Sequence, residues 1–310
     1  RIDRIKHTLA PRFAVDFDDP ASIKNGVPDL RVQDAWKFDA DVQQIAASPA
    51  ILDLLGKLYG RRAFPFQTLN FPVGTEQALH SDSIHFSSIP ERFMCGVWLA
   101  FEDVSLEAGP LLYLPGSHKW PILSNAAIGR RGFENRAASA QLPFQRAWDA
   151  LTATSDLAHE RFAARKGQAL IWAANLLHGG DRQIDPTQTR WSQVTHYYFE
   201  NCAYYTPAFS DEMLGRLDLR KITNIATGAI EPNLYLGEEV QRPAADGGPR
   251  RSKRRWPSLF KRGFNLAELP EDFDPESYRS LNDDVAASGT DPARHYLRHG
   301  RFEGRRYRRP

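Results

Sequence analysis

Only two cysteines, Cys95 and Cys202, occur in 310 residues. A disulfide framework is therefore not supported, nor is a thiolate zinc site. A reducing, cytoplasmic compartment is the expectation. No apolar run reaches the roughly 18 residues that cross a bilayer, so no transmembrane segment is expected. No signal peptide is visible, although the chain opens on Arg1 rather than Met, which leaves targeting open. A large excess of one charge is also missing, since 40 Lys and Arg stand against 38 Asp and Glu. Nothing in that balance points to a nucleic-acid partner. The chain is instead rich in aromatics, with 7 Trp, 10 Tyr and 18 Phe, and 42% of it is hydrophobic. That suits a β-rich core or a cleft with stacking walls.

The charge is unevenly spread. Residues 241–310 hold 16 of the 40 basic and 10 of the 38 acidic residues, leaving 24 and 28 for the rest. A mildly acidic body thus carries a basic tail. Residues 1–60 read as mostly helical, with Val42, Ile45, Ile51, Leu52, Leu54, Leu55 and Leu58 on an apolar face and Pro49 starting a second helix. From 61 to about 203 the pattern changes. FPFQTLNFP, HSDSIHFSS, FMCGVWLAFEDV, GPLLYLPGSH, QALIWAANLLH and TRWSQVTHYYFEN read as short strands punctuated by Gly and Pro. A polar insertion at 119–165 interrupts them. Strands, an insertion and more strands predict a mainly β fold, a double-sheet jelly roll with flanking helices. The first domain is placed at 1–240. A Pro/Gly-rich basic linker follows at 241–263, and a small helical module at 264–310.

His80 and Asp82 are two apart, so on a strand they share a face and can reach one metal. His178 follows Asp82 by 96 residues, at the end of an apolar run. Two imidazoles and one carboxylate with open positions form the ligand set of non-haem Fe(II) oxygenases. The open positions accept 2-oxoglutarate and then O2. An H-x-D pair alone is a weak signal, and the partners give it weight. Arg190, 12 residues after His178, would return to the barrel interior on the next strand. Its guanidinium there could hold the distal carboxylate of 2-oxoglutarate in a fork. Ser192 shares that face and could add a hydroxyl. A surface arginine on an edge strand is the alternative.

The combination resembles the phytanoyl-CoA dioxygenase family of 2-oxoglutarate oxygenases. The residues carrying the resemblance are QTLN at 67–70, HSDSIHF at 80–86, VW at 97–98 and EDV at 102–104. GPL at 109–111, PGSH at 115–118, LLH at 176–178 and Arg190 complete the set. The likeness covers roughly residues 60–200. It implies a double-stranded β-helix (jelly-roll, cupin-like) core. It implies His80, Asp82 and His178 as iron ligands, Arg190 as the 2-oxoglutarate anchor, and Gln67 and Trp98 as further cosubstrate contacts. It also implies a hydroxylation that releases succinate and CO2. Halogenating relatives lack the carboxylate ligand, and Asp82 is present. The substrate is expected to be a small organic molecule, carbohydrate- or lipid-related. Two rivals remain: a jelly-roll ligand-binding protein without turnover, and a cupin-like iron enzyme that does not use 2-oxoglutarate. The position of Arg190 discriminates the second.

Other residues read as structural. His85 falls on the opposite face from Asp82 if the strand is regular and could line the substrate entrance, with a structural role preferred; His118 sits in a turn, and Cys95 is a small buried hydrophobe. His196 shares parity with Arg190 but reads as packing at the barrel end. The basic run 250–255 is a candidate for weak contact with an anionic surface, with a solvated linker as the preferred reading. Asp274-Pro275 and Asp291-Pro292 predict two capped helices in the tail. That tail resembles a helical module attached to bacterial glycosyltransferases, which implies a bacterial setting.

Overall fold

The computed structural model describes residues 1–13, 17, 30–131, 140–240, 269–288, 290–301 and 305–308. They fall in two compact units, Arg1–Arg242 and Pro243–Pro310. The expected linker at 241–263, with its basic run at 250–255, lies outside the described residues.

In the first unit, helices α1 (Ile2–Leu9), α2 (Ala40–Ala46) and α3 (Pro49–Tyr59) precede the sheets. The Asp39 carboxylate accepts the Asp41 and Val42 N–H groups and starts α2, while Pro49 occupies the first turn of α3, where no N–H is needed. The largest sheet joins β1 (Val32–Gln33), β2 (Ala63–Phe71), β9 (Ser192–Phe199), β4 (Met94–Ala100) and β7 (Ala169–Ala173), in that order, with every pairing antiparallel. A second sheet joins β6 (Glu160–Phe162), β5 (Leu111–Tyr113) and β8 (His178–Gly180). The two form the jelly roll. Between them Phe71, Trp98, Leu111, Trp172 and Val194 make a common core, onto which Phe162 packs.

Strand alternation explains which residues reach that interior. On β4, Gly96, Trp98 and Ala100 point inward, whereas Cys95 and Val97 pack outward with Leu55 of α3. On β9, Val194 and His196 point inward, and Tyr197 and Phe199 join the outer layer. Every residue of β9 is buried, because helices cover the face of the sheet that the second sheet does not.

One expectation is overturned. HSDSIHFSS is not a continuous strand. His80 makes a single bridge to His178, Asp82–Ile84 is a 3₁₀ turn, and β3 (Ser87–Ile89) begins only afterwards. The serines are the reason, because short hydroxyl side chains offer the backbone local bonds that compete with a ladder. Ser81 Oγ accepts the Ser83 N–H at 3.2 Å and donates to Ala174 O at 3.0 Å.

The insertion contributes α4 (Leu142–Ala153), whose Phe144 and Trp148 pack on Ile84, Leu114 and Leu177. It thereby supports the turn carrying Asp82 and the strand carrying His178. Asn125, 2% exposed, ties the insertion to a later turn through Nδ2 contacts to Pro207 O (2.9 Å), Ala208 O (3.1 Å) and Ser210 O (3.0 Å). Asn125→Ala would remove the side-chain donor from all three carbonyls, with Pro207 O keeping the Ser210 N–H. A loss of about 2–3 kcal/mol of unfolding free energy is expected, read from urea denaturation.

The second unit contains α5 (Pro275–Leu281), α6 (Asp283–Ser288), α7 (Pro292–His295) and a π-helical turn at Tyr296–Gly300. Asp274 accepts the Glu276 and Ser277 N–H groups, and Asp291 accepts that of Arg294. Tyr278, Val285 and Tyr296 form its small core, with Phe273 and Tyr307 against it.

Candidate metal centre

His80 and His178 face each other as a hydrogen-bonded antiparallel pair, His80 N–H to His178 O at 2.9 Å and His178 N–H to His80 O at 3.0 Å. The glycine after His178 makes this close approach possible: a Cβ on Gly179 would lie 2.4 Å from Gln77 O. Each ring then turns the same way. His80 Nδ1 lies 3.0 Å from Ala78 O, and His178 Nδ1 lies 3.0 Å from Leu176 O. A carbonyl can only accept, so both Nδ1 atoms carry the proton, and both Nε2 lone pairs remain available. The 3₁₀ turn brings Asp82 between them, with Oδ1 3.7 Å from His80 Nε2 and Oδ2 3.7 Å from His178 Nε2. The ligating atoms of all three lie within 4.8 Å of one another, and all three residues are buried.

Burial, reinforced by the neighbouring His178, pushes the His80 pKa down to about 3, so this imidazole is neutral at pH 7. Burial alone would raise the Asp82 pKa. The surrounding His178, His196 and His80 rings outweigh it and hold the carboxyl ionised, well below the usual range. The Nε2 atoms of both rings and the ionised carboxylate thus converge on one space. That donor set fits a divalent cation.

The three groups open into a cavity of about 210 Å³, which Arg190, Trp98 and Gln67 also line. Arg190 is 3% exposed and lies just before β9, where its N–H donates to Pro72 O at 2.8 Å. Its Nη1 donates to Gly109 O at 2.9 Å, and its Nε has no partner. Among the described residues no carboxylate pairs with it. Desolvation lowers its pKa to about 10, which still leaves it cationic at neutral pH. Trp98 Nε1 is likewise buried without a partner, and its ring lies 5.9 Å from the Arg190 guanidinium carbon. A buried cation and an indole donor, both incompletely bonded, fit an anionic cosubstrate beside the metal site. Ser192 is buried on the Arg190 face with an unpartnered Oγ, but it is not part of the cavity wall. Gln67 lines the cavity with its Oε1 engaged at 2.8 Å by His196 Nδ1.

Two readings of individual residues change. His196 is not packing at the barrel end, since it lines the cavity with Nε2 3.5 Å from Asp82 Oδ2. Its even parity with Arg190 was the available signal. His85 also lines the cavity, because the 3₁₀ turn rotates it away from the face a strand would assign. Trp172 carried no sequence signal of its own, yet its indole N–H donates to Asp82 Oδ2 at 2.8 Å.

A family model described as phytanoyl-CoA dioxygenase matches residues 3–184, which include His80, Asp82 and His178 but end before Arg190. No curated protein matches the sequence. Among solved structures, similar ones include the non-haem α-ketoglutarate-dependent epimerase SnoN from nogalamycin biosynthesis. It is 21% identical with a TM-score of 0.45, over 68% of this chain and 74% of that one. EctD from S. alaskensis with 2-oxoglutarate and 5-hydroxyectoine is 16% identical with a TM-score of 0.47, over 68% and 72%. Among the described residues no helix is long and apolar enough to cross a membrane.

Proposed function

This chain belongs to the phytanoyl-CoA dioxygenase family, and on that premise we propose that it is an iron(II)- and 2-oxoglutarate-dependent oxygenase that hydroxylates a small organic substrate. The observation carrying the reading is a buried set of two imidazoles and a carboxylate sharing one cavity with a buried guanidinium that no carboxylate among the described residues pairs with. In this reading His80, Asp82 and His178 hold the iron. Arg190 holds the distal carboxylate of 2-oxoglutarate, and Trp98 walls the cosubstrate with its free N–H. Gln67, whose amide oxygen is taken by His196, has a part in shaping the wall. Ser192 is the remaining candidate donor beside Arg190.

Iron, when bound, supplies the redox chemistry that couples conversion of 2-oxoglutarate and O2 to succinate and CO2 with insertion of one oxygen atom into a substrate C–H bond. The side chains orient the reactants and keep bulk water from the centre, and none has to act as a general acid or base. Gln33, Thr75, Gln77 and Arg31 also line the cavity. Amide, hydroxyl and cationic groups there favour a polar substrate over a bare acyl chain.

Anaerobic titration of 2-oxoglutarate into the Fe(II)-loaded protein tests the reading. A weak visible charge-transfer band is expected to grow and saturate. Its absence in folded, iron-loaded protein would replace this reading with that of a cupin-like iron enzyme that does not use 2-oxoglutarate.

A further inference from the structure

The register of the large sheet sets four residues in one row. Trp172 on β7 lies opposite Gly96 on β4, Gly96 opposite His196 on β9, and His196 opposite Gln67 on β2. Gly96 matters because it has no side chain. A Cβ there would fall 2.4 Å from Trp172 Cε2. The indole therefore lies over Gly96 and reaches Asp82, where its N–H donates to Oδ2 at 2.8 Å in a buried setting. His196 approaches the same oxygen at 3.5 Å, held by Gln67. Oδ1 has no such donor, and faces His80 Nε2 at 3.7 Å.

We infer that Trp172 is a positioning residue for the metal centre, which holds Asp82 as a ligand through Oδ1 alone. The inference rests on the proposed iron role of Asp82. A carboxylate with two free oxygens can chelate and occupy two positions on a metal. One whose Oδ2 is committed to an indole N–H presents a single oxygen in a fixed orientation. The positions left open are then those the cosubstrate and O2 require. Ring packing alone does not need the N–H: the indole packs tilted against the His178 ring with centroids 4.5 Å apart, and phenylalanine could keep an aromatic face there.

The test is Trp172→Phe, with anaerobic Fe(II) and Mn(II) binding measured beside wild type. Metal affinity is expected to fall about 10- to 100-fold, in protein whose circular dichroism matches wild type. The charge-transfer band of the 2-oxoglutarate complex is expected to move to longer wavelength, because a carboxylate released from its donor gives more electron density to the metal. Gly96→Ala displaces the same indole without removing it, and serves if Trp172→Phe does not fold. A readout without any variant is the indole N–H spectrum of wild type. One of the seven indole resonances, protected from solvent exchange, is expected to shift when diamagnetic Zn(II) is added. Wild-type affinity and an unmoved band in folded Trp172→Phe would overturn the inference, as would seven indole resonances that ignore bound Zn(II). If wild type binds metal and His178→Ala does not, the proposed function stands whichever way Trp172 falls. If wild type binds none, both fall.

Discussion

His178→Ala is expected to lose its iron and at least about a thousandfold in turnover, a barrier increase of roughly 4 kcal/mol. The reason is local. The ring contributes a lone pair whose direction is set by the Nδ1 bond to Leu176 O. Iron retained after anaerobic desalting measures the first effect, and succinate formation the second. The fold should survive, since the strand pairing of His178 is made by its backbone. This variant is cleaner than Asp82→Ala. Removing Asp82 would also strand the buried Trp172 N–H, adding about 1–3 kcal/mol of instability unrelated to the metal. Full iron retention by folded His178→Ala would remove this histidine from the ligand set.

Arg190→Met is expected to raise the 2-oxoglutarate requirement by about 100-fold or more, the worth of a desolvated, charge-assisted fork. Its effect on the free protein has the opposite sign. The folded-state pKa of Arg190 is depressed to about 10, so the unfolded chain binds the proton more tightly and folding bears the cost at any pH below 10. At pH 7 that cost is fully present, on the order of 3 kcal/mol. Methionine removes it, at the loss of one bond to Gly109 O. Thermal unfolding without 2-oxoglutarate should therefore stay level or rise. The further stabilisation that 2-oxoglutarate gives to metal-loaded wild type should vanish, while that given by the metal alone should remain. A substantial fall in the stability of the free protein, with 2-oxoglutarate affinity intact, would make Arg190 a structural residue and favour the cupin-like alternative.

Much of the candidate site could be read from residue types and parity. His80 and Asp82 stand two apart and His178 ends an apolar run, and the structure gathers the three in one buried cluster. Arg190 was legible from its distance to His178 and the even parity of its strand. Trp98 followed from the resemblance and lines the cavity. The local path between His80 and Asp82 was not legible. Two-residue spacing suggested a strand, but Ser81 and Ser83 bend the chain into a 3₁₀ turn that brings the two side chains together by another route. His85 was misassigned for the same reason, since a turn breaks the parity rule from which its face was read.

Composition and pattern by themselves determined the mainly β class, the helical N-terminal segment and the capped helices of the tail, while the candidate ligands came from spacing joined to the family resemblance. These depend on local preferences and on short-period alternation, which a linear chain carries in full. Tertiary structure decided which oxygen of Asp82 is bonded, which histidine nitrogens keep their lone pairs, and that His196 and Trp172 stand beside the carboxylate. Those facts depend on the register between strands far apart in the chain, where Gly96 meets both Trp172 and His196. A one-residue slip in any of those pairings would turn the row to the other face of the sheet.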